Sequence, residues 1–310
     1  MVSNATVPVP SASSAGSRRA AAARRDRRGR WVPYWLALPG TLWLAIFFVV
    51  PMVAMLSLST QTGNLIDGFQ QTFHVQNYVD ALSTYHTEFL RSLWYGLVST
   101  VLAIVISYPA AYWIAFHGGT RKSSYLFLML LPFFVSFVIR TVSWKFVLAD
   151  NGLLLGPLKS LHLLPENYHV LATSYAVIGG LTYNSLPFML LPIYVALERI
   201  EPRLLEAARD LYSDRRSAFR RVVLPLSLPG VFAGVLLTFI PNASDFVNAT
   251  ILGGTNTTMI GNIIDSQYFT NNNYPIASAL SFCLMLILLL GIFLYARLLG
   301  TQDVLEVAAA

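Results

Sequence analysis

The 310-residue chain has one cysteine, only 12% Asp, Glu, Lys and Arg, and none of the short signatures of covalent or nucleotide chemistry. Each absence excludes something. The single thiol, Cys283, rules out a disulfide within the chain and a paired-cysteine metal site, and its place inside a long apolar run reads as a small buried side chain. No G-x-x-x-x-G-K segment is present to cradle ATP phosphates, so any ATP hydrolysis must come from a partner. There is no H-E-x-x-H and no G-x-S-x-G elbow. The histidines His74, His86, His117, His162 and His169 are scattered through loops and read as surface residues, not ligands. A chain with so little charge and 55% hydrophobic residues, gathered in long runs, has the profile of a membrane protein.

Six apolar runs are long enough to cross a bilayer: 35–58, 92–116, 123–139, 171–197, 226–252 and 274–298. At about 1.5 Å per residue, twenty or so helical residues cover a hydrocarbon layer of about 30 Å. In lipid every backbone amide must be bonded within its own segment, and no ten-residue alternation suggests a barrel, so the runs are predicted to be helices. Pro109, Pro187, Pro192 and Pro241 inside them predict kinks.

If the spans alternate, the basic residues divide unevenly. One side receives seven arginines before the first span, Arg121 and Lys122, the seven of the loop between the fourth and fifth spans, and Arg297. The other receives Arg91, Arg140, Lys145 and Lys159. The positive-inside rule therefore places both termini and the loop at 198–225 in the cytoplasm. The net charge of +6 is thus an orientation signal with lipid phosphate as its nearest anion, and it does not point to nucleic acid. Residues 1–33 read as a disordered basic tail leading to an uncleaved first span, 34–299 as the membrane domain, and 300–310 as a second cytoplasmic tail.

The loop at 198–225 is the most polar stretch of the second half. Pro202 suits the first turn of a helix, and Leu204, Leu205, Ala208, Leu211 and Tyr212 recur at helical spacing opposite Glu206, Arg209 and Asp210. Ser213 or Asp214 can cap a second short helix bearing Ala218, Phe219, Val222 and Val223. Pro225, Pro229 and Gly230 punctuate the return into the fifth span. Periodicity alone fits either an amphipathic loop resting on headgroups or a docking element.

The segment resembles the EAA loop of ABC importer permeases, with Glu206, Ala207, Ala208, Leu224 and Pro225 at that family's spacing. Over residues 34–299, phrases such as NYVDAL, SYPAAYWIA, LLPFFVSFVIR, LPFMLLPIY, LEAARDL and MIGNIID are similar to the first permease subunit of the spermidine/putrescine importer family. The resemblance implies an all-α, six-span type I importer permease in a bacterial inner membrane. It also implies the partners: a second permease subunit, two copies of an ATPase carrying ATP and Mg, and an extracytoplasmic substrate-binding protein. The chain itself would carry no cofactor and no metal. Coupling to the ATPase falls to Glu206, Ala207, Ala208, Asp210, Leu211, Tyr212, Phe219, Leu224 and Pro225. Tyr212 stands where the family usually has glycine, so the bend must use ordinary dihedrals or the first helix must run one residue further.

For a flexible cationic cargo the route should offer carboxylates and aromatic faces. Asp245, two-thirds along the predicted fifth span, is the first candidate; Trp144, Tyr183 and Tyr268 are aromatic ones, although interfacial aromatics occur in any membrane protein. Asp245 could equally pair with Arg140 or Lys145. Thr250 occupies a position where the family often has a second acid. Other cargoes of the same permease group, such as ferric iron, thiamine or a phosphonate, are the nearest alternative. From another class, a self-sufficient secondary transporter would require paired broken helices in inverted repeats.

Overall fold

The computed structural model describes residues 32–64, 66–201, 203–206 and 214–298. Two compact units are present, one up to Ser57 and one from Leu58 onward. The first is a helical rod. Helix α1 (Val32–Leu44) continues through a π-helical turn, Ala45–Val49, into α2 (Val50–Ser59). Its large side chains, among them Trp35, Leu36, Trp43, Phe47 and Phe48, lie exposed, as expected of a span that faces lipid or another chain.

In the second unit, the stretch between the first two predicted spans is mostly ordered secondary structure. Strands β1 (Gln61–Asn64) and β2 (Gly68–Gln71) pair antiparallel, with Gln61 opposite Gln71 and Asn64 opposite Gly68. The Asn64 side-chain oxygen accepts from the amides of Ile66 and Asp67 and closes the turn. Helix α3 then runs from Gln76 to His117, and its 42 residues at about 1.5 Å each far exceed a bilayer. Its one residue outside helical dihedrals is Tyr85, so the break separates an N-terminal arm from the span and does not sit at Pro109. Asn77 ties the arm to the hairpin by donating to the carbonyls of Ser59 and Gln61.

Helix α3 presents small buried residues, Ser92, Gly96, Ser99, Ala103, Ser107 and Ala111, at intervals of three or four. Such a face lets helix backbones approach closely where no hydrophobic effect separates helix from lipid. Against it pack α7 (Ser174–Glu198) and α9 (Leu224–Ala243), which also pack on each other. Met189, Leu190, Ile193 and Leu197 of α7 meet Ala103, Ala111 and Ile114 in one core. A β-carbon on Gly230 of α9 would lie 2.5 Å from both the Ala196 β-carbon and the Pro192 carbonyl oxygen, so only glycine allows this crossing. Pro187 and Pro192 lie within a continuous α7 and do not break it. The last span, α12 (Tyr274–Leu298), which follows the short helix α11 (Ile260–Asp265), matches its predicted limits and packs on α3 through Ala279, Leu280, Cys283 and Leu284.

Two predicted spans prove to be interrupted. The third is not a straight helix over 123–139. Helix α4 (Lys122–Leu130) and the 3-10 turn Leu131–Phe134 meet α5 (Phe137–Val147) at 86°. Pro132 starts the tight turn, and Val135 and Ser136 take extended dihedrals that no helix can hold. The fifth span ends at Ala243, not Leu252; residues 247–252 form a separate short helix, α10 (Val247–Leu252). Among the described residues, five helices are long and apolar enough to cross a membrane, or six if the bent pair is one span.

Between α5 and α7 stands the short helix α6 (Leu155–Ser160). Asp150 there is held by Lys159 at 3.1 Å and His169 at 3.1 Å, and the Lys159 hydrogen bond is the largest influence keeping its carboxyl below the ordinary value.

Candidate functional site

The polar loop at 198–225 is described only at its two ends. Ala207, Ala208, Asp210, Leu211 and Tyr212 lie outside the described residues. Glu206 closes a helical turn at 203–206, is exposed, and shares a cavity of about 490 Å³ with Tyr112, His117, Lys122 and Glu198. Lys122 and Glu198 pair at 3.3 Å across that cavity.

The second half of the loop differs from its predicted form. Helix α8 (Arg215–Ala218) begins after Asp214, whose carboxylate accepts from the Arg216 amide at 3.2 Å, so Asp214 is the residue that caps it. It does not end before the fifth span. A π-helical turn, Phe219–Val223, carries it straight into α9, with the Leu224 amide bonded to the Phe219 carbonyl. The wider turn accommodates Pro225, which has no amide hydrogen to give to an ordinary helical turn. Phe219 is wedged edge-on against Tyr108 at 5.9 Å and Tyr112 at 5.8 Å, and the Tyr108 hydroxyl shares a 2.7 Å hydrogen bond with Ser227. The end of the loop is thereby fastened to α3 by three aromatic rings. Leu224 is half-buried beside this anchor, while Pro225 is exposed.

Asp245 stands in the gap between α9 and α10. Its Oδ1 accepts from the Asn248 backbone amide at 2.7 Å and its Oδ2 from the Asn248 side-chain Nδ2 at 3.1 Å. Among the described residues it forms no ion pair; the direct pairing with Arg140 or Lys145 allowed by the sequence does not occur. The connection to Arg140 is indirect. Asn248 Oδ1 accepts from Asn184 Nδ2 at 3.0 Å, and Asn184 Oδ1 accepts from Arg140 Nε at 2.9 Å. The Thr141 hydroxyl joins at the middle, 3.3 Å from Asn184 Nδ2 and 3.4 Å from Asn248 Oδ1.

The direction of this relay is fixed by its ends. A guanidinium can only donate and a carboxylate only accept, so each asparagine must turn its oxygen toward Arg140 and its nitrogen toward Asp245. Asn248 and Thr141 are almost wholly buried and Asn184 nearly so, which strengthens the polarised chain and makes a missing member costly. Among the described residues no buried side-chain nitrogen or oxygen lacks a partner. Gly180 makes room for the relay: a β-carbon there would sit 2.9 Å from Asn248 Oδ1 and 2.5 Å from Leu252 Cδ1.

Two of the predicted aromatic residues belong to the same place. Trp144 and Tyr183 meet edge to face at 5.2 Å, and Tyr183 stacks on Phe133 at 5.3 Å. The Arg140 guanidinium carbon lies 4.5 Å from the Phe133 ring centre and 5.7 Å from that of Tyr183. Tyr268 is not part of this cluster. It touches Phe269 and Tyr274, each at 4.9 Å, and lines a separate apolar cavity of about 560 Å³ with Ser244, Phe246 and Asp265. Asn184, Asn248 and Phe133 were not singled out from the sequence, although an amide inside an apolar run is itself a signal that a partner must exist.

Residues 103–300 match the family of binding-protein-dependent transport system inner membrane components. The chain belongs to this permease family. The permease is 35% identical over 256 residues, covering 82% of this chain and 90% of its relative, to the spermidine/putrescine transport system permease protein PotB of Haemophilus influenzae. It is 32% identical to PotB of Escherichia coli over 85% of this chain and 98% of the relative. The inner membrane ABC transporter permease protein YdcU of the same organism matches at 32% over 70% of this chain and 72% of its own length. In fold, the permease resembles a bacterial ABC transporter for import of the polysaccharide alginate, with a TM-score of 0.67 at 18% identity, covering 90% of this chain and 98% of that one. It also resembles the MetNI methionine ABC transporter, with a TM-score of 0.54 at 19% identity over 69% and 94% of the two chains. The permease is a multi-pass, mostly helical inner membrane protein of the type I importer fold.

Proposed function

We propose that this permease forms half of the translocation route of an ATP-driven importer for a polyamine such as spermidine or putrescine. The observation that carries the cargo is the 35% identity to a spermidine/putrescine permease over nine-tenths of that relative's length. The Arg-rich end of the bundle, with Arg121, Lys122 and the loop at 198–225, faces the cytoplasm, and the loop takes its motion from a separate ATPase that binds ATP and Mg. A second permease, two ATPase copies and an extracytoplasmic binding protein complete the assembly.

In this reading the ATPase pushes on the loop, and the Phe219 anchor passes the push to α3 and α9 together. Asp245 and the aromatic rings of Trp144 and Tyr183 line the route, and Tyr268 lines a neighbouring face. Broken helices suit such a site, because backbone groups freed at a break can be satisfied only where protein or water surrounds them.

The test is uptake by vesicles containing the purified complex, with labelled spermidine competed by putrescine and by neutral and anionic solutes. Competition by the amines alone supports the cargo. If neither amine competes and ferric iron, thiamine or a phosphonate does, the importer class stands and the cargo changes. Uptake by the permease alone without nucleotide would remove the importer reading altogether.

A further inference from the structure

The aromatic faces that should attract a cationic cargo already hold a cation. Arg140 lies over Phe133 and Tyr183, and its Nε is engaged by Asn184, the first member of the relay to Asp245. Arg140 also spans the break in the third span. It sits on α5, while Phe133 and the Pro132 carbonyl, which its Nη1 approaches at 3.5 Å, lie before the bend of 86°. One side chain thus occupies the rings, polarises the relay and ties the two halves of the bent pair together.

We propose that Arg140 is a tethered competitor for the cargo: its guanidinium occupies the aromatic pair, an arriving ammonium group displaces it, and its return expels the cargo. This inference rests on the cationic cargo proposed above. The physical need is clear. Carboxylate and ring faces in a low-dielectric route would hold a polyamine tightly, and a carrier must also let go. An internal cation of the same chemistry lowers the net affinity without removing the recognition groups. It differs from simple charge repulsion, because the competing group must reach the same rings. Lys145, on the same helix and exposed, offers a charge that does not touch them.

The experiment measures equilibrium binding of labelled spermidine to the full complex in nanodiscs without the binding protein and, separately, the maximal uptake rate of the same complex in vesicles supplied with the binding protein and ATP. Arg140→Gln should bind spermidine on the order of three- to thirtyfold more tightly, the range of a partly desolvated cation–ring contact, while its maximal rate falls. Arg140→Lys, which keeps a tethered cation, should return toward wild-type affinity, and Lys145→Gln should change affinity less than about twofold. Unchanged or weaker binding by Arg140→Gln in an assembled complex overturns the proposal, as does equal tightening by Lys145→Gln. If Arg140→Gln does not assemble, spin labels at exposed Leu128 and Ser143, on either side of the break, decide the matter in the otherwise unaltered permease. Spermidine should shift their distance distribution, and no shift overturns the proposal. If the wild-type complex binds no amine but binds another solute, the cargo reading itself fails; if it binds amines and Arg140→Gln does not tighten, only the tethered competitor fails.

Discussion

Adjacent glycines on α7 offer a contrast in which helix propensity is constant and only tertiary contact differs. A β-carbon added at Gly179 meets nothing within 4 Å, whereas one at Gly180 meets Leu252 Cδ1 at 2.5 Å and Asn248 Oδ1 at 2.9 Å. Either alanine substitution should gain up to about 1 kcal/mol from helix propensity. At 180 that gain is opposed by overpacking of about 1–3 kcal/mol. The end of Leu252 can rotate away, but the Asn248 carboxamide cannot, because Asn184 and Thr141 hold its oxygen and Asp245 accepts from its nitrogen. The two variants should therefore differ by about 1–3 kcal/mol in stability, with Gly180→Ala the weaker. Cys283 makes this measurable: it is the chain's only cysteine and is buried, so a thiol-reactive fluorogenic dye reports unfolding of the purified permease on heating. Gly180→Ala should melt several degrees below Gly179→Ala. In the assembled transporter it should lose most uptake while Gly179→Ala keeps it. Equal melting temperatures and equal uptake would refute the close packing of α7 on α10 and the role given to the relay.

Three further outcomes are expected. Asn248→Leu removes the link between Asn184 and Asp245, leaving the buried Asn184 amide without its 3.0 Å acceptor and Asp245 with one donor fewer, at a cost of about 1–3 kcal/mol; uptake should fall at least about tenfold, and retention of full uptake with normal assembly would contradict the relay. Phe219→Ala withdraws a half-buried ring from Tyr108 and Tyr112, worth about 2 kcal/mol, so ATP hydrolysis by the complex should continue while uptake falls, a split read by measuring both in one preparation. Glu206→Lys reverses an exposed charge at the end of the described turn 203–206 and should abolish uptake and weaken copurification of the ATPase; a stable, fully active complex would deny Glu206 its coupling role.

Much of the architecture follows from local sequence. The apolar run from Tyr274 to Leu298 is bounded by three asparagines and ends at an arginine, so its limits needed no tertiary information. The cap at Asp214, one of the two the sequence offered, was legible for the same reason, since capping acts within one turn. A proline by itself did not mark a break. Pro187 and Pro192 sit inside an unbroken α7, while Pro132 and the Ser136 that follows it mark a turn of 86°. Proline frees a carbonyl wherever it stands, and the packing around it settles whether the helix bends. The fifth span was read too long because residues 243–252 carry only one acid, and hydropathy does not distinguish a continuous helix from two with a capped gap.

What the sequence by itself determined is which runs are apolar enough to enter a membrane, the division of basic residues between them, and the requirement that every polar group inside them find a partner. Which partner each found was decided by tertiary structure alone. Arg140 and Asn184 are 44 positions apart, and Asn184 and Asn248 are 64 apart, so no window of local pattern contains both ends of either bond. Helix periodicity fixes the face on which a residue lies; only the packing of α5, α7 and α10 against one another brings those faces within hydrogen-bond distance.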